Sequence, residues 1–436
     1  MGGIKIKILI KNGRVLDPRS HTDEKLDILV EGELIRLIDK EISIEADRVI
    51  DANNYWVVPG LIDAHVHLRE PGFEHKETIR TGSKSAARGG FTSIACMPNT
   101  QPAIDKREIV DYILNKARAE AVVNVLPIGA ISKGQLGKEA SNIADMLDAG
   151  VIAISEDGKT VMDTELMRRS LELAAQYDIP VLVHCEDHYL VGKGVMNEGE
   201  RATKLGLEGI SSVSEEIIVL RDIYLSKEFN TKLHLCHIST KGTVEILRQA
   251  KKRGLRVTAE VCPHHFTLTD ADVRAEDTNT KMNPPLRSYE DVKAIKKALG
   301  DGTIDIIATD HAPHHRDEKR LSYEEAPFGI VGLETAVPLV ITELVNTGII
   351  SPLQMVEKMS QNPARLLGID RGSLMAGKIA DITIIDPDFQ YTIDAGDFVS
   401  KGKNTPFHGR EVKGRVEYTI VGGKIVLDKG GRLIDR

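Results

Sequence analysis

Four histidines and two aspartates in this chain are the residue types from which a divalent metal site is built. His65 and His67 end the apolar run Leu61-Ile62-Asp63-Ala64-His65-Val66-His67, which Pro71-Gly72 stops. Alternate side chains of a strand share one face, with Cα atoms roughly 7 Å apart, so both imidazoles can reach one cation. Alone, such a pair is more readily explained by packed or exposed histidines. The partners stand where other apolar runs end: Asp157 after Ala153-Ile154-Ser155-Glu156, His184 after Val181-Leu182-Val183, His237 after Leu233-His234-Leu235-Cys236, and Asp310 after Ile306-Ile307-Ala308-Thr309. Imidazole and carboxylate without thiolate suit zinc or a similar ion, and six ligands exceed the needs of one catalytic zinc with an open position. Two metals are therefore expected. Such a pair makes water nucleophilic at neutral pH and polarises a carbonyl, which points to hydrolysis of an amide-like or ester-like bond, or its reverse.

These strand ends can meet only if the strands lie side by side. Between residues 59 and 367, apolar runs at 61–67, 92–97, 123–131, 152–156, 181–184, 233–238, 257–262 and 304–310 alternate with helix-like stretches at 77–88, 106–117, 141–147, 164–176, 212–226, 242–252, 289–299 and 334–346. Strand followed by helix, eight times, predicts an α/β fold with a (β/α)8 barrel, whose active site lies at the C-terminal ends of its strands. A doubly wound open sheet is the alternative, weakened because no Gly-x-Gly-x-x-Gly follows the first strand. Both chain ends read differently. Short alternating runs broken by Asn12-Gly13 and Glu31-Gly32, and by Gly422-Gly423 at the far end, predict strands and hairpins. Because unpaired strand edges are a liability, residues 1–58 and 368–436 are expected to form one small β-sandwich domain together rather than two separate flaps.

The 436 residues are 41% hydrophobic and 28% charged, as in an ordinary globular protein, with room for both domains. A formal charge of -8 and no Lys/Arg block exclude a nucleic-acid surface and favour a small-molecule substrate. No apolar run approaches the roughly 20 residues that cross a bilayer. The N-terminal Met1-Gly2-Gly3-Ile4-Lys5 also lacks the pattern of a signal peptide, so a cytoplasmic location without membrane association is expected. Cys96, Cys185, Cys236 and Cys262 sit in apolar runs without Cys-x-x-Cys spacing and are expected to be buried thiols.

Motifs along nearly the whole chain resemble the amidohydrolase superfamily, and within it the type I dihydroorotases. They are residues 63–72 (Asp-Ala-His-Val-His-Leu-Arg-Glu-Pro-Gly), Met97-Pro98-Asn99-Thr100, Ser155-Glu156-Asp157-Gly158, His184-Cys185-Glu186, His237-Ile238-Ser239-Thr240, residues 281–287 (Lys-Met-Asn-Pro-Pro-Leu-Arg), and Thr309-Asp310-His311-Ala312-Pro313-His314. The resemblance implies reversible hydrolysis of the cyclic amide of dihydroorotate to N-carbamoyl-aspartate, a step of pyrimidine synthesis. It also implies two zinc ions per chain: one on His65, His67 and Asp310, the other on His184 and His237, with Asp157 and a hydroxide bridging them. Many members of the superfamily bridge with a carboxylated lysine; aspartate at 157 agrees with type I, and Lys159 is the minor alternative. Asp310 would be the catalytic base and then acid.

By the same resemblance, Arg69, Asn99, Asn283, His314, Pro327 and Gly329 would bind substrate. For Arg69 there is a physical reason, since a planar guanidinium holds a carboxylate by two parallel hydrogen bonds. The polar segment 312–329, bracketed by proline and glycine, reads either as a lid over the site or as a solvated loop. His264 and His265 are left as structural or supporting residues. A homodimer and an aspartate transcarbamoylase are the protein partners the resemblance allows. The competing functions are another cyclic-amide hydrolase, such as an allantoinase or hydantoinase, and a noncatalytic scaffold for a transcarbamoylase.

Overall fold

The computed structural model describes residues 6–435; residues 1–5 and 436, the outermost parts of both expected β segments and of the stretch read for a signal peptide, lie outside the described residues. In the middle of the chain, parallel ladders run in sequence order. Leu61–Val66 pairs with Phe91–Cys96, which pairs with Asn124–Pro127. The third run then continues, after Ile128, as Gly129–Ala130, which pairs with Ile154–Ser155, followed in turn by Val181–Val183, Leu233–Leu235, Val257–Val261 and Ile306–Ile307. A parallel bridge between Val66 and His311 links the last run back to the first, and the His67 N–H donates to the His311 carbonyl at 2.9 Å.

Side-chain alternation explains why these runs are apolar throughout. Ile62, Ala64, Ala95, Met97, Ala153, Leu182, Cys236, Ile306 and Ala308 form one buried cluster. Leu61, Ile94, Val181, Val183, Leu233, Leu235 and Ile307 join a second, larger one with residues of the covering helices. Both faces of each strand are thus covered, as in parallel sheets generally. The helices follow the expected pattern within a few residues. Ile79–Arg88 is opened by a capping box on Thr78, Thr164–Gln176 by the Asp163 carboxylate, and Lys241–Lys252 by the Thr240 hydroxyl. The eighth helix differs: Ala336–Val340 widens into a π segment, Ile341–Val345.

The chain ends form one hydrogen-bonded sheet of nine strands. Ile382–Thr392 from the far end pairs with Trp56–Pro59, which pairs with Lys7–Asp17 from the near end. Asn12-Gly13 does not end a strand: it lies inside Lys7–Asp17, where the ladder with Thr22–Glu31 shifts register between Ile10 and Gly13, and the opposite edge pairs first with Arg48–Asp51 and then with Trp56–Pro59. The extra residues of such a bulge bend the strand, and Ile10, Ile28, Ile50, Val57, Ile382 and Ile420 pack in a single core. All four cysteines are free and buried. Among the described residues, no helix is long and apolar enough to cross a membrane.

Candidate metal centre

Each of the six expected ligands stands at or just past a strand end, and the fold brings all six together. The ligand atoms of His65, His67 and Asp310 lie within 4.8 Å of one another, as do those of Asp157, His184 and His237. Asp157 faces both groups. Its Oδ2 is 3.3 Å from His65 Nε2 and 3.5 Å from His67 Nε2, while its Oδ1 is 3.3 Å from His237 Nε2 and 3.8 Å from His184 Nδ1. On the far side of the first group, Asp310 Oδ1 is 3.0 Å from His67 Nε2 and 3.5 Å from His65 Nε2. The side chain of Asp310 keeps 11% exposure, whereas none of the other five exceeds 5%, so Asp310 is the ligand nearest the open side. The backbone is strained here: Arg69, His237 and Asp310 all have positive φ, at 62°, 32° and 48°, a cost tolerated where surrounding structure dictates it.

A further ring of side chains fixes which nitrogen faces inward for three of the four histidines; His237 Nδ1 has no such partner. His65 Nδ1 donates to Glu260 Oε1 at 2.6 Å, and His234 Nε2 donates to the other oxygen of Glu260 at 3.0 Å. His67 Nδ1 donates to Asn99 Oδ1 at 2.8 Å, and His184 Nε2 to Glu186 Oε2 at 2.9 Å. The inward nitrogens, Nε2 of His65 and His67 and Nδ1 of His184, are left with lone pairs. Outer-shell acceptors of this kind orient metal-bound histidines. His65 Nε2 is also buried without a hydrogen-bond partner. A buried polar atom left unsatisfied costs stability, so an orphan lone pair between two carboxylates is what a site shaped for a cation would show.

The electrostatics agree. Burial alone would lower the pKa of His65, but the Asp157, Glu260 and Asp310 carboxylates outweigh it and raise it well above normal. Burial works against the ionised forms of Asp157 and Asp310, yet the neighbouring histidines hold both below the usual carboxylate range. Glu260 is likewise opposed by burial and brought down to about 2 by His65 and His234. The field in the cluster is strongly negative and favours bound positive charge.

Glu260 and Glu186 carried no role in the sequence reading. Glu260 lies inside the apolar run Val257–Val261, and its only signal is a lone carboxylate in a strand covered on both faces. The expected substrate residues fall into two groups. Arg69 and His314 meet at one rim: Arg69 Nε donates to the Pro313 carbonyl at 3.2 Å, and its Nη2 lies 3.4 Å from His314 Nε2. His314 Nε2 donates to the Phe328 carbonyl at 2.8 Å. Loss of hydration presses the pKa of Arg69 down to about 10, which still leaves it charged at neutral pH. Asn99 and Asn283 instead contact the ligand-orienting ring, the latter by donating to Glu186 at 2.9 Å. The Pro327 and Gly329 carbonyls both accept from Lys319. Lys159 is not drawn into the ligand groups; its Nζ donates to the Gln135 carbonyl at 2.9 Å. His265 donates to the Pro284 carbonyl at 2.9 Å.

With the geometry in place, the relatives of this chain decide between the functions it allows. The dihydro-orotase-like family model matches residues 55–243. A dihydroorotase of Acetivibrio thermocellus is 53% identical over 420 residues, which span 96% of this chain and 99% of that protein. One of Pelotomaculum thermopropionicum is 53% identical over 423 residues, 97% of this chain and 99% of that protein. The chain belongs to the dihydroorotase family. Solved structures similar to this dihydroorotase-family fold include the L-hydantoinase (dihydropyrimidinase) of Arthrobacter aurescens, with a TM-score of 0.88 at 28% identity, covering 98% of this chain and 97% of that one. A dihydropyrimidinase of Brevibacillus agri NCHU1002 has a TM-score of 0.87 at 25% identity, covering 99% and 96%. The hydantoinases, one of the competing functions, are thus close in fold, while identity at about half of all positions sets this chain with the dihydroorotases.

Proposed function

We propose that the chain catalyses the reversible hydrolysis of dihydroorotate to N-carbamoyl-aspartate, as a type I dihydroorotase with two zinc ions per chain. The observation that carries this reading is the double-faced Asp157, with two histidines on each of its oxygens. His65, His67 and Asp310 would hold one ion, His184 and His237 the other, with Asp157 between them. The ions would supply Lewis acidity toward the scissile carbonyl and make water acidic at neutral pH.

This chain's residues do the rest. Asp310, ionised and the most exposed of the six, takes the proton of the attacking water and returns it to the ring nitrogen as the C–N bond breaks. The synthetic direction reverses these steps. The substrate's carboxylate is held by Arg69 with His314, and Asn99 and Asn283 add contacts to the substrate while bracing His67 and Glu186. The Pro327 and Gly329 backbone closes the same pocket. Aspartate rather than a modified lysine at position 157 supports the type I assignment, and a full ligand set supports an enzyme over a scaffold. The ordered ladders and the Val66–His311 bridge support a closed (β/α)8 barrel over residues 59–367, with the two chain ends as a companion domain.

The test is substrate choice. Zinc-loaded protein is offered dihydroorotate, hydantoin and allantoin in parallel, and ring opening is followed for each. Opening of dihydroorotate is expected; opening of only hydantoin or allantoin overturns the assignment.

A further inference from the structure

The segment 312–329, read from the sequence as lid or loop, contains a lysine that behaves unlike its neighbours. Arg316, Asp317 and Arg320 are exposed, but Lys319, in the single turn Glu318–Arg320, is only 8% exposed. Its ammonium makes no salt bridge within 4.0 Å among the described residues. It donates instead to three backbone carbonyls, those of Lys281 at 3.3 Å, Pro327 at 2.9 Å and Gly329 at 3.1 Å. An ammonium has three donors, and here each finds one carbonyl. Burial presses the pKa of this group down to about 7, a sign of how little water reaches it. Removing a long charged side chain from water is costly, so a surface loop has no stability reason to place one here.

The three carbonyls belong to the two segments that carry expected substrate residues. Lys281 is two residues from Asn283. Pro327 and Gly329 flank Phe328, whose carbonyl holds His314 Nε2 beside Arg69. The same segments are laced elsewhere: Gly329 N donates to the Lys281 carbonyl at 3.1 Å, and Asn404 Nδ2 donates to the Gly329 and Ala312 carbonyls at 3.0 Å each. Gly329 has φ of 123°, and a Cβ there would come within 2.7 Å of the Ala312 Cβ, so the segment passes where only glycine fits.

We infer that Lys319 is a positioning residue for carboxylate recognition: it ties the 327–329 segment to Lys281, so that the Phe328 carbonyl holds His314 against Arg69. It touches neither the ligand groups nor the reacting atoms. The inference rests on the reading that this pocket takes dihydroorotate.

The test compares wild type, Lys319→Met and Lys319→Arg by KM and kcat for dihydroorotate, with zinc content and thermal melting measured on each. Lys319→Met keeps the length and removes the donors. KM is expected to rise about tenfold or more, the cost of releasing a fixed contact, with kcat within about threefold and zinc content unchanged. Lys319→Arg, which keeps charge and donors, recovers part of the loss. If Lys319→Met does not fold, Lys319→Gln is held to the same expectations. A KM within about twofold of wild type, a fall in kcat at constant KM, or loss of zinc from a folded variant overturns the inference. A wild type that leaves dihydroorotate intact refutes the reading beneath it instead, and is seen before any variant is made.

Discussion

Glu260→Gln tests the outer ring of the site without touching a ligand. In the wild type one carboxylate accepts from two imidazoles, at 2.6 Å from His65 Nδ1 and 3.0 Å from His234 Nε2, in a fully buried position. An amide of the same size has one accepting oxygen, and its NH2 must face the second imidazole. Either His234 changes tautomer, which its Thr258 hydroxyl contact at 2.8 Å tolerates, or His65 does, which places a proton on the inward Nε2 and removes a ligand. In both cases His65 loses an anionic acceptor that raises its basicity. Lost outer-shell partners cost roughly 10- to 100-fold in metal affinity, about 1.4 to 2.8 kcal/mol. The assay is zinc affinity by competition with a chelator at fixed pH, alongside a melting curve to confirm folding. The ion assigned to His65, His67 and Asp310 should show this loss. Affinity within about threefold of wild type in a folded Glu260→Gln variant would refute the argument that the ring sets the ligands.

Other perturbations probe other links. Asp157→Ala should lose at least one metal per chain with the fold retained, measured by elemental analysis and circular dichroism; unchanged metal content would place the bridge elsewhere. Arg69→Met should raise KM for dihydroorotate by roughly 10- to 100-fold, the range of a lost hydrogen bond to a charged group, with zinc content intact; an unchanged KM would remove Arg69 from carboxylate binding. Gly423 has φ of 72°, and a Cβ there would lie 1.8 Å from the Gly32 carbonyl oxygen in the other half of the sheet. Gly423→Ala should therefore destabilise by about 2 to 4 kcal/mol in denaturant melts, and a neutral result would mean that the two chain ends do not pack as described.

Much of this site was legible in the sequence because its ligands sit at strand ends. An apolar run that stops at a histidine or aspartate marks both an element and the place where a parallel sheet gathers functional groups, and His65, His67, Asp157, His184, His237 and Asp310 all carried that mark. The supporting ring was less visible. Glu260 and His234 interrupt apolar runs without ending them, and their pairing depends on which face of neighbouring strands they share. Asn99 and Asn283 could be placed in loops but not given partners, since a loop asparagine can turn the chain, orient a histidine or reach a ligand. Lys319 was hidden for the opposite reason: it lies among Arg316, Asp317, Glu318 and Arg320, and nothing in a run of charges says which one turns inward. In the β region Glu31-Gly32 and Gly422-Gly423 marked turns, whereas Asn12-Gly13 lies inside Lys7–Asp17 and the turn into Thr22–Glu31 comes after Asp17; that both ends share a domain was expected, but the pairing of Trp56–Pro59 with Ile382–Thr392 is a long-range contact that no local pattern encodes.

The most direct measurement of the central claim is a titration of metal-free protein with zinc, following dihydroorotate opening at each step. A site in which Asp157 serves two ions predicts activity that climbs to a plateau at two equivalents per chain. A plateau at one equivalent, or no opening of dihydroorotate at any zinc level, would contradict it.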